Sequence, residues 1–484
     1  MLFTSNEFLI FFTAFFLLYW FVCDKNVKHQ NILVLLGSYL FYAWWDWRFL
    51  SILITTSIVN FILGIYIEKT TVPKSRKLLL WIGLLQGVGC LLLFKYFNFF
   101  VESFSNFFSF FHFNIHIQTI NIIIPLGLSY YTFKSISYLL DIEKGKIKAT
   151  AEWMVFCSYI AFFPALLAGP IDKARTLIPQ LEQKRVFDYN LATDGLRQIL
   201  WGVFKKVVIA DNCASITNHI FDNYQHFSGS TLLIGAFLYT IQMYADFSGY
   251  SDMAIGFSRL IGFNITRNFD FPFFSQNIAE FWRKWHISLT SWLTEYVFTP
   301  LSIAFRDLGK LGLIFAIIIN FTICGIWHGA NWTYVLFGLM HGCYFIPLIL
   351  TGKMNKRSKI AGNKMLPSFS EAARMLATFV LVMFTFIVFR AENITQAFNY
   401  YQRLFSISLI SIPAVPKGYL TFRTLLLFIG SMLLIEWLNR EKEHGLQLGV
   451  IKGRIFRWSV YAFIFFLIGM LMETSETPFI YFKF

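Results

Sequence analysis

KLGLIFAIIINFTICGIWHGANWTYVLFGLMHGCYFIPLILTGK, residues 310–353, contains no Asp, Glu, Lys or Arg between its terminal lysines. A membrane-crossing helix takes about 20 predominantly apolar residues, so this stretch is long enough for two, back to back. Gly329, Ala330 and Asn331 mark the break between them, which sets His328 at the join. Gly325 and Gly329 would let the two backbones approach closely there.

The totals around this stretch agree with it. Hydrophobic residues make up 56% of the 484, charged residues 14%, and the mean hydropathy is +0.57. Soluble domains carry about 25% charged residues. The composition specifies an all-α polytopic membrane protein. Apolar runs of spanning length recur from about 8–23 to 456–472 and give about eleven transmembrane helices. No repeat, low-complexity tract or soluble domain interrupts them, so residues 1–484 read as a single membrane domain. The N-terminal MLFTSNEF lacks a basic n-region, and the first run reads as a retained span.

The net charge of +14 lies in short loops between apolar runs. That distribution suits topology signals beside membrane lipid and argues against nucleic acid. Lys69, Lys74, Arg76 and Lys77 follow one such run, and five basic residues with no acid fill 353–364. Both loops belong on the cytoplasmic side by the positive-inside rule, which places the N-terminus outside. The aromatic turn of Trp44, Trp45, Asp46 and Trp47 then falls at the outer interface. Six scattered cysteines form no CxxC pair and predict neither a disulfide framework nor a zinc site.

Some apolar stretches are broken. Pro125 and Gly127 interrupt NIIIPLGLSYYTFKSISYLLD, which also holds Lys134, and Pro164, Gly169 and Pro170 interrupt AFFPALLAGPID. Irregular backbone at membrane depth needs protein or a water-filled cavity around it, so these breaks predict re-entrant helices around a central chamber. In YADFSGYSDMAIGFSRL, Asp246 and Asp252 stand inside an apolar run. Buried acids face a partner or a cavity. Arg259, seven positions after Asp252, is one partner on the same helical face; a place on the chamber floor is the other reading.

The second histidine of interest, His286, lies in FWRKWHISLTSWLTEYVFTPL, residues 281–301. Asn277 can cap a helix here with Glu280 as its box partner, and Pro300 is a natural stop. Trp282, Trp285, His286, Leu289 and Trp292 recur at helical spacing, opposite Glu280, Lys284, Ser288 and Ser291. That pattern predicts one amphipathic, tryptophan-rich helix able to lie in the interface plane.

A neutral imidazole can take a proton from an alcohol as the alcohol attacks an acyl carbon, help worth roughly a hundred- to ten-thousand-fold. A thioester donor needs little further activation. His328 and His286 are the catalytic candidates. Trp327 and Asn331 beside the first, Trp282 and Trp285 beside the second, and Asp246 and Asp252 are the candidate tunnel or substrate-binding residues. His112, His116, His219, His226, His341 and His444 read as packing residues. No third ligand at metal spacing accompanies either candidate histidine, and no GxSxG elbow or P-loop is present.

At these residues the chain resembles the membrane-bound O-acyltransferase family, in its bacterial branch of alginate O-acetyltransferase membrane subunits. FWRKWHISL and GIWHGANW carry the resemblance, with IPLGLSYYTFKSISYLLD, FFPALLAGPI, YADFSGYSDMAIGFSRLIGF, IVFRAEN and the terminal TPFIYFKF. It implies a wall of helices around a tunnel through the membrane, with His328 catalytic and His286 its companion. It also implies an acyl-CoA or other acyl-thioester donor on the cytoplasmic side, no bound cofactor, and a site in the bacterial inner membrane. An extracytoplasmic acceptor or acetyltransferase protein would receive the acetyl group and pass it to an exported polysaccharide. At WLTEYVFTPLSIAFRD, Thr294 and Glu295 stand where the branch has an Arg-Asp pair, and Ser302 and Ile303 where it has two glycines. That departure leaves the acceptor open.

Two other readings remain at this stage. One is transfer of D-alanine or another acyl group to teichoic acid, with an acyl carrier protein as donor. The other is a proton-coupled transporter in which the histidines relay protons; inverted repeats are frequent in that class, and none is found here.

Overall fold

The computed structural model describes residues 1–113, 118–120, 122–356, 360–362, 364–418, 420–447, 453–472 and 479. His116, Arg357, Lys359 and all of TPFIYFKF except Phe479 lie outside them. Every regular element among the described residues is helical, so the all-α polytopic class holds. Among the described residues, six helical stretches are long and apolar enough to cross a membrane: Val27–Lys69, Pro73–Phe110, Arg306–His328, Trp332–Leu350, Phe369–Arg390 and Arg454–Leu471. The expected number of about eleven rests on further helices that are shorter or broken, such as Asn6–Leu17 and Trp153–Ala161.

The chain forms two compact units, Met1–Thr193 with Phe257–Thr266, and Asp194–Gly256 with Arg267–Phe484. In the first, the helices Leu50–Lys69 and Pro73–Leu91 pack on Leu128–Glu143. Both expected interruptions are present. Gly127 takes a left-handed conformation (φ 73°) just before Leu128–Glu143. Residues 161–174 run irregularly past Pro164 and are all buried. Several of their polar groups find partners within the unit: the Phe163 amide donates to the Ser38 hydroxyl at 3.1 Å, the Asp172 carbonyl accepts from the Tyr159 hydroxyl at 3.2 Å, and the Asp172 carboxylate accepts from the Thr266 amide and hydroxyl at 2.8 and 2.6 Å, while the Lys134 ammonium donates to the Tyr159 carbonyl at 3.2 Å. That satisfaction is what allows non-helical backbone to stay out of water.

The second unit contains the charge-free hairpin. Its helices are Gly309–His328 and Trp332–Tyr344, and they part where the sequence places the break. Asn331 caps the second, its side chain accepting from the Thr333 amide at 3.0 Å. The seam between them has no room for side chains. A Cβ on Gly325 would lie 2.0 Å from the Tyr334 carbonyl oxygen, and one on Gly338 2.2 Å from that of Phe321. Gly325→Ala should therefore force the helices apart at an overpacking cost of about 1–3 kcal/mol. A lower melting temperature of the purified protein is the expected result. Gly430→Ala, where nothing lies within 4 Å of the added carbon, should change little.

A second glycine crossing sets the ion pairs described below. A Cβ on Gly202 would meet the Gly249 carbonyl at 2.6 Å, and one on Gly249 the Gly202 carbonyl at 2.7 Å. Backbone contact at this pair brings Tyr189–Val203, and the π-helical turn Phe204–Ala210 that extends it, against the long helix Gly229–Leu260.

Two sequence expectations fail in this unit. The tryptophan-rich stretch is two short helices, Ile278–Lys284 and Ile287–Leu293, broken at His286 (φ 45°). Pro300 does not stop the helix either: a π turn, Thr294–Phe298, leads into Thr299–Ala304, and the proline sits in that first turn. A first-turn proline lacks only an amide that would be unpaired anyway. Of the histidines read as packing residues, His341 and His444 are buried, whereas His112, His219 and His226 are exposed on helix ends and turns.

Candidate active site

The break at His286 is held by backbone bonds rather than by helix propensity. Asn277 caps the helix before it, accepting from the Glu280 amide at 2.9 Å, while Glu280 reaches the Gln276 amide at 3.0 Å. Residues 268–270 run alongside. The Ile287 amide donates to the Asn268 carbonyl at 2.9 Å, the Asp270 amide to the Lys284 carbonyl at 3.0 Å, and the Asn268 side chain accepts from the Ser288 amide and hydroxyl at 3.2 and 2.6 Å. Asn268 in turn donates to Ser251 at 3.0 Å. Ser288, expected on a solvated face, is buried by this clamp. The left-handed conformation turns His286 out of helical register. Its ring is fully buried, with the Phe247 ring 4.6 Å away, edge on.

His328 ends its helix, with Gly329 extended after it. Its ring packs edge-on against Phe337 at 5.9 Å and Phe389 at 5.2 Å. Trp327 connects the two histidines: its ring centroid lies 5.0 Å from that of His328 and 5.7 Å from that of His286. The histidines, separated by 42 positions in sequence, thus share one indole as neighbour.

The other candidate residues divide. Trp282 donates its indole N–H to His341 Nδ1 at 3.1 Å, and the His341 ring lies 4.6 Å from Phe337, the same ring that touches His328. Trp285 stacks on Phe281 at 5.3 Å and packs on Phe386 and Tyr244. Asn331, besides capping its helix, donates to the Glu392 carbonyl at 2.7 Å, tying the hairpin tip to the IVFRAEN segment. Phe479 from the terminal motif stacks on Tyr250 at 4.8 Å and lies 5.8 Å from Phe247.

Asp246 and Asp252 stand in an ion network. Asp252 pairs with Lys205 at 2.7 Å and accepts from Gln198 at 2.8 Å, so its partner is not Arg259. Lys205 also donates to Ser248 at 2.9 Å and lies 4.0 Å from Glu436, which accepts from the Tyr244 hydroxyl at 2.9 Å. Lys206 holds Asp246 at 2.9 Å and Asp211 at 2.8 Å. The seven-residue spacing of Asp252 and Arg259 misled because it considered one helix alone. The consecutive lysines in FKKVVIA, themselves inside an apolar run, were the signal that acids and bases match across helices. Lys205, Lys206, Glu436, Asn268 and Phe247 are the neighbours that sequence reasoning missed. Among the described residues no group of three or more His, Cys, Asp or Glu side chains is gathered to hold a metal ion.

Residues 150–389 match the model of MBOAT, the membrane-bound O-acyltransferase family. The chain is 36% identical over 426 residues to a probable alginate O-acetylase of Azotobacter vinelandii, covering 87% of this chain and 81% of that one. It is 29% identical over 426 residues to a peptidoglycan O-acetyltransferase of Helicobacter pylori, covering 81% and 77% respectively. Against a teichoic acid D-alanyltransferase of Bacillus subtilis it is 30% identical over 291 residues, 56% of this chain and 70% of the relative. Both candidate histidines and the charge-free hairpin fall inside the matched region. The chain belongs to the membrane-bound O-acyltransferase family and is a multi-pass membrane O-acyltransferase that draws on an acyl donor.

Proposed function

We propose that this protein takes an acetyl group from a thioester, acyl-CoA or a comparable donor, on the cytoplasmic side of a bacterial inner membrane. It delivers the group through a tunnel to a hydroxyl on the outer side, for O-acetylation of an exported polysaccharide by way of an extracytoplasmic acceptor or acetyltransferase protein. His328 is the general base. It accepts the proton of the attacking hydroxyl as that oxygen bonds to the acyl carbon; the carbon–sulfur bond breaks, and the leaving thiolate recovers the proton from the imidazolium. His286 positions the donor, and Trp327, touching both rings, fixes their spacing. Trp282 and Trp285 wall the acyl path, and Asn331 holds the hairpin tip. Asp246 and Asp252 brace the path through their lysines. All of 1–484 serves this one reaction as a single domain, a reading supported by relatives that match over most of the chain.

The observation that carries this reading is a buried imidazole at the tip of a charge-free hairpin, sharing an indole with a second buried imidazole. Transfer of D-alanine to teichoic acid is the second reading, supported by the shorter match to D-alanyltransferases. Proteoliposomes supplied on one side with labelled acetyl thioester separate the readings. Label in ester linkage to a polysaccharide or protein hydroxyl on the opposite side is the expected result. Label arriving only from a D-alanyl carrier protein would favour the second, and free solute crossing without ester formation would overturn both.

A further inference from the structure

On the lipid side of the second unit, the helices Phe422–Leu438 and Arg454–Leu471 flank an apolar cleft of about 420 Å3. Trp201 and Phe204, both buried, form its floor, and Leu427, Ile435, Ile464 and Leu467 line it. Only 6% of the spanning window in Arg454–Leu471 is buried by protein. The volume corresponds to about one turn of an α-helix roughly 10 Å across, too little for a partner helix and suited to a narrower chain.

The polar end of the cleft carries two arginines, Arg454 and Arg457. Arg457, Val460, Ile464 and Leu467 recur at steps of three and four, so Arg457 stands on the cleft-facing stripe one turn before Val460. Neither Arg454 nor Arg457 forms an ion pair among the described residues. The start of the loop that joins the two helices, where Arg440 and Lys442 are balanced by Glu441 and Glu443, docks beside the basic stretch that follows Lys353. There Arg440 donates to the Lys364 carbonyl and Trp437 to that of Met365, each at 2.9 Å. Arg454 and Arg457 therefore stand at one mouth of an apolar slot, at the end that docks on the basic stretch after Lys353.

We propose that this cleft is a binding site for an anionic phospholipid of the cytoplasmic leaflet, with its phosphate on Arg457 and one acyl chain over Trp201 and Phe204. The chemistry of the two ends matches that ligand: apolar walls need no hydrogen bonds from a hydrocarbon, and an unpaired guanidinium takes a phosphate in a forked geometry. The site has a place in the fold as well. Phe204 begins the turn that carries Lys205 and Lys206, and Ile435 precedes Glu436. A lipid seated there supports the buried ion network from outside.

Delipidated protein exchanged into nanodiscs or detergent with defined lipid, read by native mass spectrometry, tests the proposal independently of the acyl-transfer reading. The full chain should retain phosphatidylglycerol and not phosphatidylcholine. Arg457→Ala should weaken phosphatidylglycerol retention by about fivefold, the contribution of one basic residue at an anionic membrane surface, and Arg457→Lys should recover most of it. Val460→Trp, which fills the slot and leaves the arginine, should lose retention while circular dichroism stays that of the parent. Equal retention of both lipids, indifference to Arg457→Ala, or displacement by inorganic phosphate alone would overturn it. So would a cross-link between two copies through Ser459→Cys, because a second chain would then occupy the cleft.

Discussion

His328→Ala is expected to abolish acyl transfer, lowering kcat by about a hundred- to ten-thousand-fold, while the protein reaches the membrane at the parental level. The second half of that expectation follows from the contacts of the ring. His328 lies among Trp327, Phe337 and Phe389 at the end of its helix, and the helix seam is secured by Gly325 and Gly338 elsewhere. His328→Gln, which keeps most of the volume and lacks a comparable base, should fold as well and be as inactive. Activity of either variant within tenfold of the parent would remove His328 from the chemistry. His286 should behave differently. His286→Asn retains a residue type that tolerates a left-handed backbone and so preserves the turn held by Asn268. Its expected effect is a raised KM for the donor with kcat changed far less than in the His328 variants.

Lys205→Met, unlike the histidine variants, should damage folding itself. Lys205 and Glu436 are almost completely buried, and Asp252 is nearly so. Removing the ammonium leaves two carboxyl groups facing each other without their shared cation. Breaking a buried pair from one side costs about 3–5 kcal/mol, a large part of the roughly 5–15 kcal/mol that holds a typical protein folded. The measurement is the yield of monodisperse protein extracted from membranes and its melting temperature. Lys205→Met combined with Asp252→Asn and Glu436→Gln should recover much of the loss, since that network carries no unpaired charge. A single variant as stable as the parent would show that the network has no structural role.

The hairpin, the break at 329–331 and the cap by Asn277 were all legible because each is a local matter of apolar length, small residues and capping chemistry. The buried irregular stretch around Pro164 was legible for the same reason. What escaped was set by contacts between distant segments. His286 breaks its helix because Asn268 supplies bonds to Ile287 and Ser288; helical spacing of the tryptophans gives no hint of a strand-like neighbour. Asp252 finds Lys205 because Gly202 and Gly249 bring two backbones together, and nothing within one helix reports that crossing. The site followed the same division. The two histidines were singled out from motifs, but the indole that joins them and the Trp282–His341 bond depend on how Gly309–His328 meets the segment after Asn277.

During synthesis the hairpin presents the insertion machinery with 42 consecutive residues, 311–352, that carry no formal charge. With no Asp, Glu, Lys or Arg from 311 to 352, its two helices can enter the bilayer together. The Lys310 ammonium then donates to the Leu350 carbonyl at 2.9 Å, which latches the base at the opposite end from the tip. At the tip, Phe389 at the end of Phe369–Arg390 packs on His328, and the Glu392 carbonyl beyond it holds Asn331.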